Sequence, residues 1–191
     1  MIRLFALTAA LIAALFCAPA QAQVTLPAGA DPQNTILLDT KYGRIVIKLR
    51  PDIAPRHAER IKLLTREGFY NNVPFHRVME GFMAQTGDGE KKNGTGKSKY
   101  PNLQAEFAQV PFKRGVVGMA RASDPNSANS QFFIMFADGS FLNGNYTVIG
   151  DVIAGMDVVD KLKKAPAGSQ SGAVTDPDVI IRAQVAADAK S

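Results

Sequence analysis

The sequence predicts a mainly β protein, a barrel or sandwich with two helices. Short runs of β-forming residues follow one another, and the segments between them are rich in Gly, Pro, Asn and Asp. Only two segments repeat apolar residues with a helical period, so the alternating βαβ pattern of a parallel sheet is missing. The chain has 191 residues, of which 46% are hydrophobic and 20% charged, which suits one globular domain with its own core.

The N-terminus is typical of a secretory signal peptide. Arg3 precedes the apolar run 4–16, which is short for a membrane span, and Ala20 and Ala22 form an A-x-A cleavage pattern. An uncleaved anchor is the alternative interpretation. Cleavage after Ala22 would remove Cys17, the only cysteine, leaving a mature protein without thiols or disulfides. We therefore expect export without stable membrane association after cleavage.

The expected organisation follows from that cleavage site. We divide the chain into a signal peptide (1–22), an N-terminal extension (23–34), a single domain (35–187) and a C-terminal tail (188–191).

The domain begins with a predicted β-hairpin. The β-type runs 36–39 and 44–49 are joined by the turn signal Thr-Lys-Tyr-Gly at 40–43. Alternation in the second run predicts a single buried face, formed by Ile45, Ile47 and Leu49.

A helix is predicted over 54–67. Pro55 suits the first helical position, and Gly68 suits the residue after the last turn. The apolar stripe that faces inward consists of Ala58, Ile61 and Leu64, with Leu63 as a further candidate. His57 and Lys62 lie on the charged flank and are predicted to be surface residues.

The remaining elements are short. Strands are predicted at 75–79, 82–86, 115–120, 131–136, 146–151 and 179–185, and the span 87–110 is rich in turn signals. A second helix is predicted over 156–163, with Val159 and Leu162 turned inward.

Several functional classes fit the residues poorly. The segment 93–98, NGTGKS, resembles the end of a phosphate-binding P-loop, but Lys91 stands where the pattern needs its first Gly. His57 and His76 are the only histidines and do not supply a metal-ligand set by themselves. The formal net charge of +5 comes from scattered cations, whereas nucleic-acid binders usually cluster them. A hydrolase using His76 as base stays open, although no serine has a nucleophile-elbow context.

The motifs FHRVMEGFMAQTGD, NGTG, GMARA, SQFFI and FLNGNY, in this order, resemble the cyclophilin family of peptidyl-prolyl isomerases. The similarity extends from about residue 36 to 185 and is greatest to periplasmic bacterial members. It implies an eight-stranded antiparallel closed β-barrel capped by two α-helices, with the site on the outer face. It also implies a monomer that needs no cofactor and acts on proline-containing unfolded or partly folded polypeptides. The signal peptide predicts that it works in the periplasm, and the histidines and scattered cations predict neither a metal site nor nucleic-acid binding.

The resemblance assigns the site residues. The catalytic residues would be Arg77, Phe82 and Gln85. Substrate-binding residues would be His76, Met83, Ala120, Arg121, Gln131, Phe133, Phe141, Leu142 and Tyr146. His76 and Arg77 are neighbours on one predicted strand and should point to opposite sides, so we expect His76 to support the site more than to touch substrate.

The chemistry explains why the site needs no nucleophile or base. The cis and trans forms of an X–Pro bond differ by about 1 kcal/mol across a barrier of roughly 20 kcal/mol, and no bond is broken. A guanidinium that donates to the prolyl nitrogen binds the twisted transition state better than the planar ground state. The alternative is a proline-peptide-binding chaperone without essential turnover, which would have no use for that cation.

Three positions depart from common family residues. Phe141 stands where many members carry Trp, Arg121 where Asn is frequent, and Tyr146 where His is frequent. The first departure predicts weak inhibition by cyclosporin, and the others put the preference for residues near proline in doubt.

Overall fold

The computed structural model describes residues 26–189, so the predicted signal peptide lies outside the described residues. Two α-helices are present in this range, α1 (Pro55–Arg66) and α2 (Met156–Asp160). The strands of the same range are β1 (Thr35–Thr40), β2 (Gly43–Leu49), β3 (Val73–Pro74), β4 (Arg77–Met79), β5 (Met83–Thr86), β6 (Val116–Met119), β7 (Phe132–Met135), β8 (Val148–Ala154), β9 (Val179–Ile180) and β10 (Arg182–Val185). Single 3₁₀ turns lie at Pro32–Asn34, Ser140–Leu142 and Ala186–Asp188.

The predicted eight-stranded antiparallel sheet with two helices is confirmed, but its closure differs from that of a complete barrel. The strand order is β10-β1-β2-β8-β6-β7-β5-β4, and the edge strands β4 and β10 do not pair with each other. The two-stranded sheet β3–β9 and a bridge between Arg77 and Ala173 occupy the seam. The segment that reaches this seam contains Pro166 and Pro177, which lack the N–H that a regular ladder needs.

The first hairpin forms as predicted, with Thr40 paired to Gly43 across its turn. The prediction of a single buried face was wrong. Val46 is buried on the other face, in a small cluster with Leu37 and Ala186. The segments at the two ends of the described chain, represented by Leu26 and Ala189, pack over this outer surface.

Helix α1 begins at Pro55 and buries Ala58, Ile61 and Leu64 as predicted, whereas Leu63 is exposed. The surface predictions for His57 and Lys62 were wrong. His57 is fully buried and hydrogen-bonds to Glu106, and Lys62 is buried and donates to Asn34. Both errors have one cause, because segments distant in sequence cover the charged flank of the helix.

The later elements form where they were predicted, but several boundaries differ. Strand β4 begins two residues later than predicted, and β8 covers Val148–Ala154 where 146–151 was predicted. Helix α2 ends at Asp160, three residues earlier than predicted, although Val159 and Leu162 are buried as expected. The last predicted strand is divided at Ile181, where the chain leaves its pairing with β3 and joins β1. The span 87–110 contains no strand and only an isolated bridge at Leu103.

The two faces of the sheet have different environments. On β7, Phe132 and Ile134 belong to the main core, whereas Phe133 and Met135 belong to a second apolar cluster on the outer face. This alternation follows from the two-residue period of a strand. Within residues 26–189, no helix is long and apolar enough to cross a membrane.

Candidate functional site

The centre of the site is a row of residues across four strands. Arg77 on β4 lies opposite Gln85 on β5, Gln85 opposite Phe133 on β7, and Phe133 opposite Gly118 on β6. Since facing residues point to the same side of a sheet, the row places a cation, an amide and an aromatic ring side by side.

Gly118 permits the ring of Phe133 to lie flat at the end of this row. A Cβ at position 118 would lie 2.4 Å from the Phe133 ring and 2.6 Å from the Phe112 ring. Without that atom, the two rings stack with centroids 5.8 Å apart and form the floor of the outer cluster.

A cavity of about 130 Å³ opens over this floor, and we call it the apolar cavity after the side chains of its walls, although polar groups also line it. Nine of the twelve residues assigned from the sequence line it, namely Arg77, Phe82, Met83, Gln85, Ala120, Arg121, Phe133, Leu142 and Tyr146. The apolar side chains form the walls, and the two arginines and the glutamine supply the polar groups. Small concave sites that combine an apolar lining with a few placed donors are typical of ligand pockets.

The guanidinium of Arg77 lies beside the cavity and has no carboxylate partner among the described residues. Its Nε donates to the Ser171 carbonyl at 2.9 Å, and Nη1 contacts the Gln85 Oε1 at 3.4 Å. Nη2 lies 3.1 Å from the sulfur of Met79. Among residues 26–189 it forms no salt bridge.

The environment of Arg77 keeps its charge available. Burial lowers the pKa of the Arg77 guanidinium from its ordinary value, but an arginine stays protonated at neutral pH. A weakly hydrated, half-buried cation held by neutral groups can still donate to an added acceptor.

A second, polar cavity of about 370 Å³ adjoins the first, and Gln85, Ala120 and Arg121 line both. Gln131 connects the two cavities through its amide. Its Oε1 accepts from the Gln85 Nε2 at 2.9 Å, while its Nε2 donates to the carbonyls of Gly94 and Gly96 at 3.0 and 2.9 Å. Gln85 is therefore fixed on one side by the loop 88–96.

That loop is wrapped around the buried carboxylate of Asp88. One oxygen accepts from the backbone N–H of Lys91, and the other accepts from those of Asn93, Gly94 and Gly96, all at 2.9 to 3.1 Å. A Cβ at Gly96 would lie 2.2 Å from the carboxylate, so only glycine permits this approach. Burial alone would raise the pKa of Asp88, but the four N–H groups outweigh it and hold the pKa below its usual value.

Arg121 separates the two cavities and is rigidly held. Its guanidinium carbon lies 4.5 Å from the centroid of the Tyr146 ring. Its nitrogens donate to the carbonyls of Asn145, Ala122 and Ser123 at 2.9 to 3.2 Å. Tyr146 meets Phe133 edge to face, which connects this cation to the floor of the apolar cavity.

The other three assigned residues lie around the cavity. Gln131 lines the polar cavity, and Phe141 is 67% exposed beside Phe82, with ring centroids 5.4 Å apart. His76 lines neither cavity, and its ring packs against Gly94. Substrate contact by His76 stays a prediction.

Comparison with known proteins decides the family. The sequence model described as "Cyclophilin type peptidyl-prolyl cis-trans isomerase/CLD" matches residues 35–185. The chain belongs to the cyclophilin-type peptidyl-prolyl cis-trans isomerase family. It is therefore an enzyme that accelerates rotation about X–Pro peptide bonds.

The relatives of this cyclophilin-type isomerase span most of its length. A probable peptidyl-prolyl cis-trans isomerase of Brucella suis is 55% identical over 95% of this chain and 97% of its own. Peptidyl-prolyl cis-trans isomerase B of Escherichia coli is 40% identical over 76% of this chain and 95% of its own.

Solved structures of cyclophilins share the fold. Cyclophilin AquaCyp293 from Hirschia baltica has a TM-score of 0.75 at 27% identity, over 84% of this chain and 77% of its own. A Cryptosporidium parvum cyclophilin, crystallised in the presence of the dipeptide Ala-Pro, has a TM-score of 0.72 at 28% identity, over 79% of this chain and 98% of its own.

Sequence reasoning missed three groups that hold the site of this isomerase. Ser171 contributes only a backbone carbonyl to Arg77, so its side-chain type carries no signal. Met79 offers a sulfur to Arg77, but in the sequence it is one more apolar strand residue. Asp88 had a readable signal, since an acidic residue before a glycine-rich loop can accept from that loop's N–H groups.

The geometry also bears on the hydrolase alternative. Burial lowers the pKa of the His76 ring. A catalytic base would need a nucleophile within hydrogen-bond reach. Within residues 26–189, the hydrogen bonds connect no serine hydroxyl to the His76 ring, so nothing in the site favours cleavage.

Proposed function

We propose that this isomerase is exported to the periplasm and accelerates X–Pro rotation in polypeptides that fold there. The apolar cavity would hold the proline ring while Arg77 donates to the prolyl nitrogen. The observation that carries this assignment is the position of the Arg77 guanidinium, unpaired with any described carboxylate and directly beside an apolar cavity of about 130 Å³.

The proposed mechanism depends on holding one end of the torsion still. A ring in contact with Phe82, Met83 and Phe133 is fixed by burial, so the carbonyl before proline can rotate against it. In the planar ground state the prolyl nitrogen shares its lone pair with that carbonyl. In the twisted state the lone pair returns to nitrogen and accepts from Arg77, so the interaction strengthens where the barrier is highest.

Gln85 would position the peptide backbone and Arg77 together. Its Nε2 is engaged by Gln131, and its Oε1 faces Arg77. This leaves the oxygen as the acceptor shared between the guanidinium and a substrate N–H. The Cryptosporidium relative crystallised in the presence of Ala-Pro supports a proline-containing peptide as the occupant.

Export rests on the sequence pattern of residues 1–22. The apolar run and the A-x-A pattern are those of a cleaved signal, and cleavage would leave no cysteine in the mature chain. We further propose that the mature protein works as a monomer, without stable membrane association and without binding nucleic acid. The scattered distribution of its cations supports the last point.

Two experiments test the proposed role. Expression of the full chain in a Gram-negative host, followed by fractionation and N-terminal sequencing, is expected to give periplasmic protein beginning at Gln23. The matched chain lacking residues 1–22 should stay in the cytoplasm, and full-length protein retaining those residues in the membrane fraction would contradict export.

The folding role is tested on a client protein with a proline-limited slow refolding phase. The purified enzyme should accelerate that phase at catalytic concentrations, because the phase reports X–Pro isomerisation. Acceleration only at stoichiometric concentrations would indicate a holding chaperone. Gel filtration with light scattering checks the monomer in the same preparation.

A further inference from the structure

Among residues 26–189, the charged side chains that line the two cavities are all cations. Arg77 and Arg121 line the apolar cavity, and Arg121 and Lys97 line the polar one. In the described part of the chain, no Asp or Glu lines either cavity. Among residues 26–189, none of the three cations forms a salt bridge.

Within residues 26–189, three carboxylates belong to segments beside the polar cavity, but none of them pairs with a cation of either cavity. Asp88 lies beneath the loop and keeps its charge, but its oxygens accept from four backbone N–H groups rather than from a cation. Glu90 accepts from the backbone N–H of Lys97 and lies outside both cavities. Asp124 accepts from the backbone N–H of Asn126 and also lies outside both cavities.

The central cation is preorganised. Arg121 is half-buried, stacked on Tyr146 and held by three backbone carbonyls, so little side-chain entropy remains to be lost when a ligand arrives. Its hydrogen-bond partners are neutral, and they fix its position without cancelling its charge. One of the two Nη2 hydrogens remains for an added acceptor, because the other is directed at Asn145.

We propose that this groove selects X–Pro peptides that carry a carboxylate side chain within three residues of the proline. The inference rests on the proposed function, since it places the proline ring in the apolar cavity. The cavities share Gln85, Ala120 and Arg121, so a peptide leaving the first enters the second. Because the cavities adjoin, a short extended segment, at about 3.3–3.6 Å per residue, reaches from one to the other. The polar cavity, lined by Arg121 and Lys97, then receives the acidic side chain.

The preference should appear in KM rather than in kcat. The carboxylate lies outside the rotating bond and contacts the cations equally in the ground and transition states. An exposed ion pair contributes little, so we expect about a two- to fivefold gain in kcat/KM for Glu over Gln. Lys at the same position should lose a similar factor, and both effects should shrink at high salt because the pairs are partly exposed.

The test is a scan of otherwise identical X–Pro peptides by exchange NMR, with Glu, Gln or Lys placed in turn at each of the three positions on either side of proline. We expect the Glu advantage to peak at one position on one side. An equal Glu advantage at all six positions would mean only attraction to a basic protein and would overturn the inference. Equal rates for Glu, Gln and Lys peptides would overturn it as well.

Matched variants locate the effect. Arg121→Gln and Lys97→Gln should each reduce the ratio of Glu to Lys rates at the peak position. Lys97 is exposed and its side chain makes no hydrogen bond within residues 26–189, so its variant keeps the test valid if Arg121→Gln disturbs the loops. Arg182→Gln, on β10 at the far edge of the sheet, should leave the ratio unchanged.

The results distinguish a failure of the proposed function from a failure of the carboxylate selection. If no peptide rotates faster than its spontaneous rate, the proposed function is wrong. If all peptides are accelerated but the ratio of Glu to Lys rates in Lys97→Gln and Arg121→Gln equals that of the wild type, the isomerase function is retained and the carboxylate selection is wrong.

Discussion

Replacing Asp88 with Ala is expected to lower the free energy of unfolding by about 3–4 kcal/mol. A hydrogen bond to a charged group contributes about 1.5–3 kcal/mol, so four would give roughly 6 kcal/mol or more. Two effects reduce this sum. The wild type bears a desolvation cost of several kcal/mol for the buried carboxylate, and the loop amides of the variant partly regain water. Single substitutions above about 4–5 kcal/mol are exceptional, which sets the upper limit.

Urea denaturation of wild type, Asp88→Ala and Asp88→Asn measures this effect. The asparagine oxygen can take the place that accepts from Asn93, Gly94 and Gly96, but its NH₂ then faces the N–H of Lys91. We therefore expect Asp88→Asn to lose roughly half as much stability as the alanine variant. Because Gly94 and Gly96 hold Gln131, both variants should also lose kcat/KM at a temperature where they remain folded.

The pH dependence gives a second measure of the same carboxylate. The folded pKa of Asp88 is lowered, so its contribution is fully present above the unfolded value of about 3.9 and is lost as pH falls through the folded pKa. The wild type should therefore lose stability on acidification in that window more steeply than Asp88→Ala. An alanine variant within about 0.5 kcal/mol of wild type would refute the account of the loop, since that is the range of ordinary surface substitutions.

Three further predictions concern the histidines and Phe141. Burial lowers the pKa of His57 and outweighs the opposing effect of the hydrogen bond that Glu106 accepts from the ring. Wild type should therefore lose stability as pH falls below about 6.5, and His57→Gln should lose less, which thermal melts from pH 7 to pH 5 measure. Isomerase activity should be constant from about pH 6.5 to 9, because Arg77 stays charged and the pKa of His76 is lowered by burial. A rise or fall in the pH–rate profile inside that window would show that a titrating group takes part in catalysis. Cyclosporin should inhibit the wild type weakly, because the exposed Phe141 lacks an indole N–H and the lost hydrogen bond alone costs about 0.5–1.5 kcal/mol. The Phe141→Trp variant should be inhibited at a lower drug concentration, and equal inhibition constants for the two proteins would exclude this position as the determinant.

The parts of the fold that the sequence predicted are those determined by nearby residues. The turn at 40–43 and the first position of α1 at Pro55 depend on local backbone chemistry, and both appear as expected. Phe133 was assigned to the site by motif resemblance, and the structure places it outside the main core through the two-residue period of β7.

The errors involve partners distant in the chain. His57 looked like a surface residue because its helix flank is charged, yet Glu106, 49 positions away, covers it and accepts its hydrogen bonds. Lys62 was misjudged for the same reason, since Asn34 lies far from it in sequence. The open seam between β4 and β10 also depends on the irregular path of the segment before β9, which periodicity does not describe.

In the candidate site, too, the sequence predicted some groups and missed others. Motif resemblance found the side chains that line the apolar cavity, because their types define the cavity chemistry. It could not find the support of Arg77 by the Ser171 carbonyl, which any residue supplies. Nor did it identify the Asp88 loop, whose carboxylate acts on backbone groups within eight residues.

The central claim is that Arg77 stabilises the twisted X–Pro bond. The most direct measurement is kcat/KM by exchange NMR on one X–Pro peptide for wild type, Arg77→Ala and Arg77→Lys, with circular dichroism as the control for folding. The account predicts at least a tenfold loss for Arg77→Ala, because removing a donor that acts in the transition state costs about 2–4 kcal/mol, or roughly 30- to 900-fold in rate. Arg77→Lys should lie between the two, because a point charge lacks the planar fork. A folded Arg77→Ala variant with the wild-type rate would contradict the account.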